Sequence, residues 1–389
     1  MSMLAQRERA GEPRGGPGGP HVGIAGAGLA GRLLAWRLMR RGARVSLFDA
    51  GSRDDRGSAG PTAAAMLSPT AELAVADAHI HELGRRSLDL WARWLASLHA
   101  QTGREVYFRR EGTLVVAHAA DRASLAHYAS LLKAHLPPAE AAASVQGADT
   151  QRIGALEPLL AGRFADGLYL PQEGQLANDQ LYEALAVALD ASLAACSGAW
   201  HEGCAIESVQ PRALLARDGT LHAFDLAVDC RGVGARGDMP GLHGVRGEVL
   251  TVAAPGVELR RPVRLIHPRY ALYVAPRPGG RFIVGATELD SEDAGPITLR
   301  STLELGSALY SLHPDFGEAR VLRLAAALRP ALPDRQPVAA PDARGVWRIN
   351  GLFRHGYLIA PAVVGEAEQG IADALGLPPA ADEELRDAA

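Results

Sequence analysis

The sequence predicts two folding units of different kinds: an α/β unit built on a parallel sheet, and an α+β unit whose sheet is mainly antiparallel. Three observations carry this. A strand–turn–helix–strand run occupies residues 22–49. Residues 245–287 alternate short apolar runs with Pro and Gly, the pattern of antiparallel strands. The chain has 389 residues, which at roughly 100–200 residues per domain is room for two. Because the β-rich stretches lie between α/β ones, the second unit is expected as an insertion in the first. The first is assigned 21–100, 160–240 and 322–375, and the second 101–159 and 241–321. Residues 1–20, ending in a Gly/Pro run that cannot bury a core, are expected to be a disordered tail, and 376–389 an acidic C-terminal tail.

The elements follow in order. Val22-Gly23-Ile24-Ala25 is a short apolar strand, and Leu33, Leu34, Trp36, Leu38 and Met39 form the apolar stripe of a helix that Gly42 closes. Val45–Phe48 is the next strand, so 22–49 is a βαβ unit. A helix is expected over Ala71–Ala100, with Trp91 and Trp94 on one face as packing residues. A strand is expected at Thr113–Val116 and a helix over 121–135. Asn178 or Asp179 is the expected N-cap of a helix starting near Leu181. Leu226–Asp229 reads as a buried strand, 300–312 as a helix, and Val346–Ile349 as a strand. An apolar helix is expected to start near Pro361.

Composition removes several function classes. Lys+Arg is 40 against 44 Asp+Glu, a net charge of −4, which disfavours nucleic acid or an anionic membrane as partner. Lys133 is the only lysine and follows no glycine loop, so neither a Walker-type phosphate loop nor a pyridoxal Schiff base is expected. Cys196, Cys204 and Cys230 match no disulfide or zinc spacing, and the first twenty residues have no signal-peptide core. No apolar run is long enough to span a membrane. A cytoplasmic protein without a metal site is the expectation. His79 and His81, two apart in a helix, point to different faces.

Gly26-x-Gly28-x-x-Gly31 follows a strand and opens a helix. Gly26 permits a tight turn, Gly28 lets backbone approach a pyrophosphate, and Gly31 lets helix and strand lie close. The helix start at Leu29 and Ala30 then offers free N–H groups to phosphates. Asp49, ending the second strand and followed by Ala50, can accept hydrogen bonds from a ribose diol and would repel a 2′-phosphate. FAD and NAD remain as cofactors of a Rossmann-like domain.

Further motifs narrow this. Thr62-Ala63-Ala64-Ala65-Met66-Leu67-Ser68-Pro69 carries little side-chain bulk. Val245-Arg246-Gly247-Glu248, Tyr273-Val274-Ala275-Pro276-Arg277, Val284-Gly285-Ala286-Thr287, Ala327-Leu328-Arg329-Pro330 and Phe353-Arg354-His355-Gly356-Tyr357-Leu358-Ile359-Ala360-Pro361 follow in order. Over roughly 21–370 the chain resembles the D-amino-acid oxidase family of flavoproteins, most closely the glycine oxidase branch of thiamine biosynthesis. It departs from that pattern at Ala65 and Ala327, where Gly is usual, at Leu352, often a polar residue, and at Asp49, usually Glu.

The resemblance implies a glutathione-reductase-type FAD-binding domain and oxidation of glycine or a small or N-substituted amino acid, with dioxygen as acceptor. It implies that Arg329 and Tyr273, with Arg354, bind and orient the substrate carboxylate. A guanidinium holds a carboxylate by two parallel hydrogen bonds, fixing orientation as well as charge. Ala64, Ala65, Met66, Val209, Gly232, Arg354, His355, Gly356, Tyr357 and Leu358 join the glycine loop and Asp49 as cofactor residues. A homo-oligomer is implied as well. Three rival readings stay open. One is a D-amino-acid or D-hydroxyproline dehydrogenase using another electron carrier. Another is the oxidase domain of a tRNA-modifying enzyme, whose Pro333–Pro337 turn is similar. The last is a flavin-binding partner protein without catalysis.

Overall fold

The computed structural model describes residues 18–54, 57–267 and 272–380. The expected N-terminal tail falls almost wholly outside them, and the first described strand is His21–Ala25. Of the expected C-terminal tail, residues 376–380 are described: Gly376, Pro378 and Pro379 are exposed, Ala380 is buried, and the Pro378 carbonyl accepts a hydrogen bond from Arg41.

A six-stranded sheet runs in the order Val338–Pro341, Trp347–Asn350, Leu226–Asp229, His21–Ala25, Arg44–Phe48, Ala199–His201. All neighbours are parallel except the first two, which form an antiparallel pair. Helices Leu29–Arg40, Ala78–Thr102, Asn178–Cys196 and Gly356–Leu375 share one large core with this sheet, built on Leu33, Trp36, Trp91, Trp94, Leu185 and Val363. Each fully buried Leu or Val there contributes about 1.5–3 kcal/mol. A three-stranded sheet over Ile206–Ala223 packs Val209 and Leu214 against Ala25, Phe48 and Ala227 of the parallel sheet. A parallel sheet needs cover on both faces, and here it has it.

The second sheet has eight strands, in the order Arg320–Ala331, His243–Ala253, Arg281–Gly285, Leu272–Arg277, Val263–Ile266, Thr113–Ala117, Asp166–Leu170, Gln146–Asp149. Only Val263–Ile266 and Thr113–Ala117 run parallel. Asp166–Leu170 and most of Arg320–Ala331, assigned from the sequence to the parallel unit, complete this sheet instead, because edge-to-edge pairing ignores distance along the chain. Helix Leu299–Leu312 covers one face through Leu305, Ala308, Leu309 and Leu312. The other face turns Tyr273, Ala275, Val249, Ile283 and Ala325 toward Ala64, between the two sheets.

Three sequence expectations shift. The block at Ala71–Ala100 is split: Pro69–Glu72 forms one turn, and the long helix starts at Ala78, capped by Asp77, whose carboxylate accepts from the His79 and Ile80 N–H groups at 3.0 and 3.2 Å. Asn178 and Asp179 do not cap their helix; the N-cap is Ala177, and Asn178 is already helical. The last helix begins at Gly356, five residues before Pro361, which it accommodates in its interior. Trp91 and Trp94 are core residues, and Trp91 Nε1 donates to the Tyr357 carbonyl at 2.8 Å. His79 is exposed and His81 buried.

Candidate active site

The phosphate-loop geometry is steric. Gly26 has φ +100°, in the left-handed region, and a Cβ on Gly31 would lie 1.9 Å from the Gly26 carbonyl oxygen. A Cβ on Gly28 would meet nothing within 4 Å, so this residue leaves an open approach. Helix Leu29–Arg40 has Gly28 as N-cap, no side-chain cap and no acid in its first turn. Its first N–H groups and positive dipole end are left for an anion. Asp49 accepts from the Ala27 N–H at 2.6 Å and the Gly51 N–H at 2.8 Å, tying the loop ends of the first two strands together. Its oxygens keep further lone pairs for a diol. Ala50 is exposed beside it. Gly232 has φ +54°, and its carbonyl accepts from the Asn350 amide at 3.0 Å. The Val209 side chain packs in the core beneath this end.

The segment 60–65 has most of its carbonyls tied to remote donors. The Asn178 amide donates to Gly60, Pro61 and Ala63 at 3.3, 3.1 and 2.8 Å. The Arg277 guanidinium donates to Ala64, and the Leu176 N–H to Ala65 at 3.1 Å. The N–H groups of Ala64 and Ala65, both buried, donate to no protein acceptor among the described residues. Ala65 has φ +48°, which turns its N–H off the ladder that Met66 and Leu67 make with Gly174–Leu176. A non-glycine residue pays for this conformation, at roughly 1–2 kcal/mol. Two buried donors without acceptors, next to small side chains, fit a flat ligand with acceptor atoms along its edge.

The last helix contributes backbone. A Cβ on Gly356 would meet nothing within 4 Å, and the first turn carries no acid. His355, Tyr357 and Leu358 point into the protein. His355 Nδ1 lies 3.2 Å from Glu72, the Tyr357 hydroxyl donates to the Gly60 carbonyl at 3.0 Å, and Leu358 lies against Gly84.

At the other end lies Arg329, on the strand Arg320–Ala331. Both its Nη atoms donate to the Thr287 carbonyl at 3.1 Å, and it forms no ion pair among the described residues. Burial lowers its pKa, with Tyr273 opposing. Gly247 makes its position possible, since a Cβ there would lie 2.2 Å from the guanidinium carbon. The buried pair Arg246–Glu248, at 2.8 Å, holds the loop that supplies Thr287: Glu248 accepts from the Thr287 hydroxyl and the Thr298 N–H. Tyr273 faces the same space. Burial raises its pKa against the pull of Arg329, and its hydroxyl meets no protein partner among the described residues.

Arg354 is differently placed. Its Nε lies 3.1 Å from Glu72 and its Nη1 2.8 Å from Glu288, so its charge is neutralised within the protein. Burial pushes the Glu72 pKa up, but Arg354, His355 and Arg264 together overcome this and hold the carboxyl well below the usual range. A cavity of about 210 Å³ opens beside Arg354 and is lined also by Asp77, Glu288, Asp334 and Arg335. The sequence expectation that Arg354 orients the substrate carboxylate therefore meets a guanidinium already engaged by two acids.

Sequence reading missed Asn178 in its actual role, Arg277, Gly247, Arg246, Glu248 and Glu72. The signal for Arg277 was present: 273, 275 and 277 alternate onto one face of their strand.

A glycine-built loop that fits phosphates, a small-residue seat and a half-buried arginine without an ion pair among the described residues are features that suit a flavin-dependent oxidoreductase. Residues 21–367 match the DAO family of FAD dependent oxidoreductases, and the chain belongs to that family. It is similar to a protein named as a thiamine biosynthesis oxidoreductase, ThiO, from Rhizobium etli, with 38% identity over 91% of this chain and 97% of that one. It is 26% identical to a glycine oxidase from Geobacillus kaustophilus over 87% and 89% of the two chains. Among solved structures it shares its fold with glycine oxidase from Geobacillus kaustophilus (TM-score 0.75, 23% identity, covering 92% and 95%). It shares it too with iminodiacetate oxidase from Chelativorans sp. BNC1 (TM-score 0.75, 22% identity, covering 92% and 96%). FAD is thus the cofactor, and the unsatisfied Ala64 and Ala65 N–H groups, the open Gly28 and the uncapped helix start are residues that fit it. Among the described residues, no helix is long and apolar enough to cross a membrane.

Proposed function

We propose that the protein oxidises glycine or a small or N-substituted amino acid to an oxo acid and ammonia or an amine, with dioxygen reduced to hydrogen peroxide. The observation that carries this is Arg329: a half-buried guanidinium with no acid partner among the described residues, beside a half-buried tyrosine whose hydroxyl has no protein partner among them. Leaving a cation so placed is costly unless a ligand supplies the anion. An α-amino acid carboxylate matches it.

Arg329 and Tyr273 hold the carboxylate and so fix the direction of the α-carbon hydrogen. Burial excludes water and strengthens both interactions. Bound FAD supplies a two-electron acceptor at N5. The substrate amine must be neutral, since its lone pair forms the C=N bond as the α-hydrogen leaves with its electron pair, and water then hydrolyses the imine. Positioning and desolvation require no side-chain base. Gly26, Gly28, Leu29, Ala30, Gly31, Asp49 and Gly232 serve the nucleotide, Ala64, Ala65 and Met66 the ring, and Gly356 with the first turn of its helix the ring's other edge. Arg354 anchors Glu72 and Glu288 at the mouth.

Anaerobic mixing of FAD-loaded protein with glycine, sarcosine, iminodiacetate and D-alanine, scored by flavin bleaching, tests the reading. Bleaching with at least one, and oxygen uptake in air, is expected. Bleaching without oxygen uptake would mark a dehydrogenase, and no bleaching with FAD bound would mark a module without this activity.

A further inference from the structure

Arg277 is a second guanidinium without an ion pair among the described residues, more deeply buried than Arg329 and four residues from Tyr273 on the same strand. It is 7% exposed. Its Nη1 donates to Gln175 Oε1 at 2.8 Å and to the Pro276 carbonyl at 2.9 Å, its Nη2 donates to the Ala64 carbonyl, and its Nε has no partner. The nearest acid in influence, Asp179, pairs with Arg281 at 3.3 Å. Burial lowers its pKa to about 10, so it stays charged at neutral pH.

Holding a carbonyl does not require a charge. Asn178 fastens Gly60, Pro61 and Ala63 with a neutral amide. At Ala64, one residue further along, the chain uses a cation instead and pays no acid to balance it. An unpaired buried charge is costly, and the cost is offset where negative charge develops nearby. Hydride transfer delivers two electrons and one proton to the bound ring, a net gain of one negative charge beside the Ala64–Ala65 segment.

We propose that Arg277 is a positioning residue of the flavin seat that also sets the cofactor's redox balance. It fixes the Ala64 carbonyl, and with it the Ala65 N–H of the same peptide plane, so that this N–H faces the ring, and its charge favours the reduced form. This rests on FAD binding but not on the identity of the amine.

The test uses FAD-loaded protein and variants Arg277→Met and Arg277→Lys. The flavin midpoint potential is measured against a reference dye, without amine substrate, together with the FAD dissociation constant. Arg277→Met is expected to shift the oxidised/reduced equilibrium roughly tenfold toward oxidised, about 30 mV for a two-electron couple. Arg277→Lys, which keeps the charge and loses the fork, is expected to stay within about threefold of the parent in potential while binding FAD more weakly. A Met variant with the parent's potential overturns the proposal. If the Met variant does not fold or hold FAD, the Lys variant decides: parental potential with weaker FAD binding supports it, and a displaced potential or unaltered FAD binding overturns it. An enzyme that binds FAD but bleaches with no amine would defeat the substrate reading and leave this measurement intact.

Discussion

Arg329 and Arg354 both come from motifs near the end of the chain, yet their surroundings are opposite. Arg329 sits on a long strand, in a niche opened by Gly247, and spends its donors on backbone carbonyls, those of Thr287 and Arg246. Arg354 sits in the 3-10 turn Phe353–His355, beside a cavity lined with acids, and is paired with Glu72 and Glu288. A guanidinium is a binding group when the protein leaves its charge unanswered, and an anchor when the protein answers it twice. The motif alone does not distinguish these cases.

Substitutions can break that contrast. The largest effect is expected for Arg329→Met. Truncating one partner of a desolvated charge pair costs about 2–5 kcal/mol, so kcat/KM should fall ~30- to 5,000-fold, chiefly through KM. A change under about threefold in steady-state oxygen uptake would remove Arg329 from the site. Arg354→Met should instead cost about 1–2 kcal/mol of stability, by taking from Glu72 and Glu288 the cation that bridges them and leaving Glu72 to Arg264 and His355, with KM within about threefold. A KM rise matching that of Arg329→Met would abolish the distinction between the two.

The Glu72 cluster adds a pH signature. Its pKa is depressed in the folded state, so its stabilisation is fully present above the unfolded carboxyl value of roughly 4.3. That stabilisation is lost progressively as pH falls below this value toward the folded one. Thermal melting from pH 7 to pH 3 should therefore drop more steeply for the parent than for Glu72→Gln; parallel curves would refute the assignment. The smallest effect is at Ala65. Replacing it by Gly relieves the positive φ and should stabilise by about 0.5–1 kcal/mol, a Tm rise of ~1–3 °C. A fall in Tm would show that the methyl group packs usefully.

What the sequence made legible follows from distance along the chain. The loop Gly26–Gly31 and the acid at Asp49 lie within one βαβ unit, where spacing maps directly onto geometry. The pairings that build the rest are remote: Arg277 reaches Ala64 across 213 residues and Asn178 reaches Ala63 across 115. Asn178 was expected as a cap because its side chain so often serves that role; here its amide is taken by three carbonyls of a distant loop. Arg354 and Glu72 could not be matched as partners without knowing that the turn Pro69–Glu72 lies against the last helix. Ala65 was visible as a departure from the family's glycine, but not as a residue held in a glycine's conformation.

The fastening of segment 60–65 has one more consequence. Its clamps come from two bodies: Asn178 from a helix on the parallel sheet, Arg277 from the antiparallel sheet. The seat proposed for the ring therefore exists only while the two halves are docked. Cofactor uptake and inter-sheet association must then be thermodynamically linked, so that loading the protein with FAD tightens a joint as well as filling a pocket.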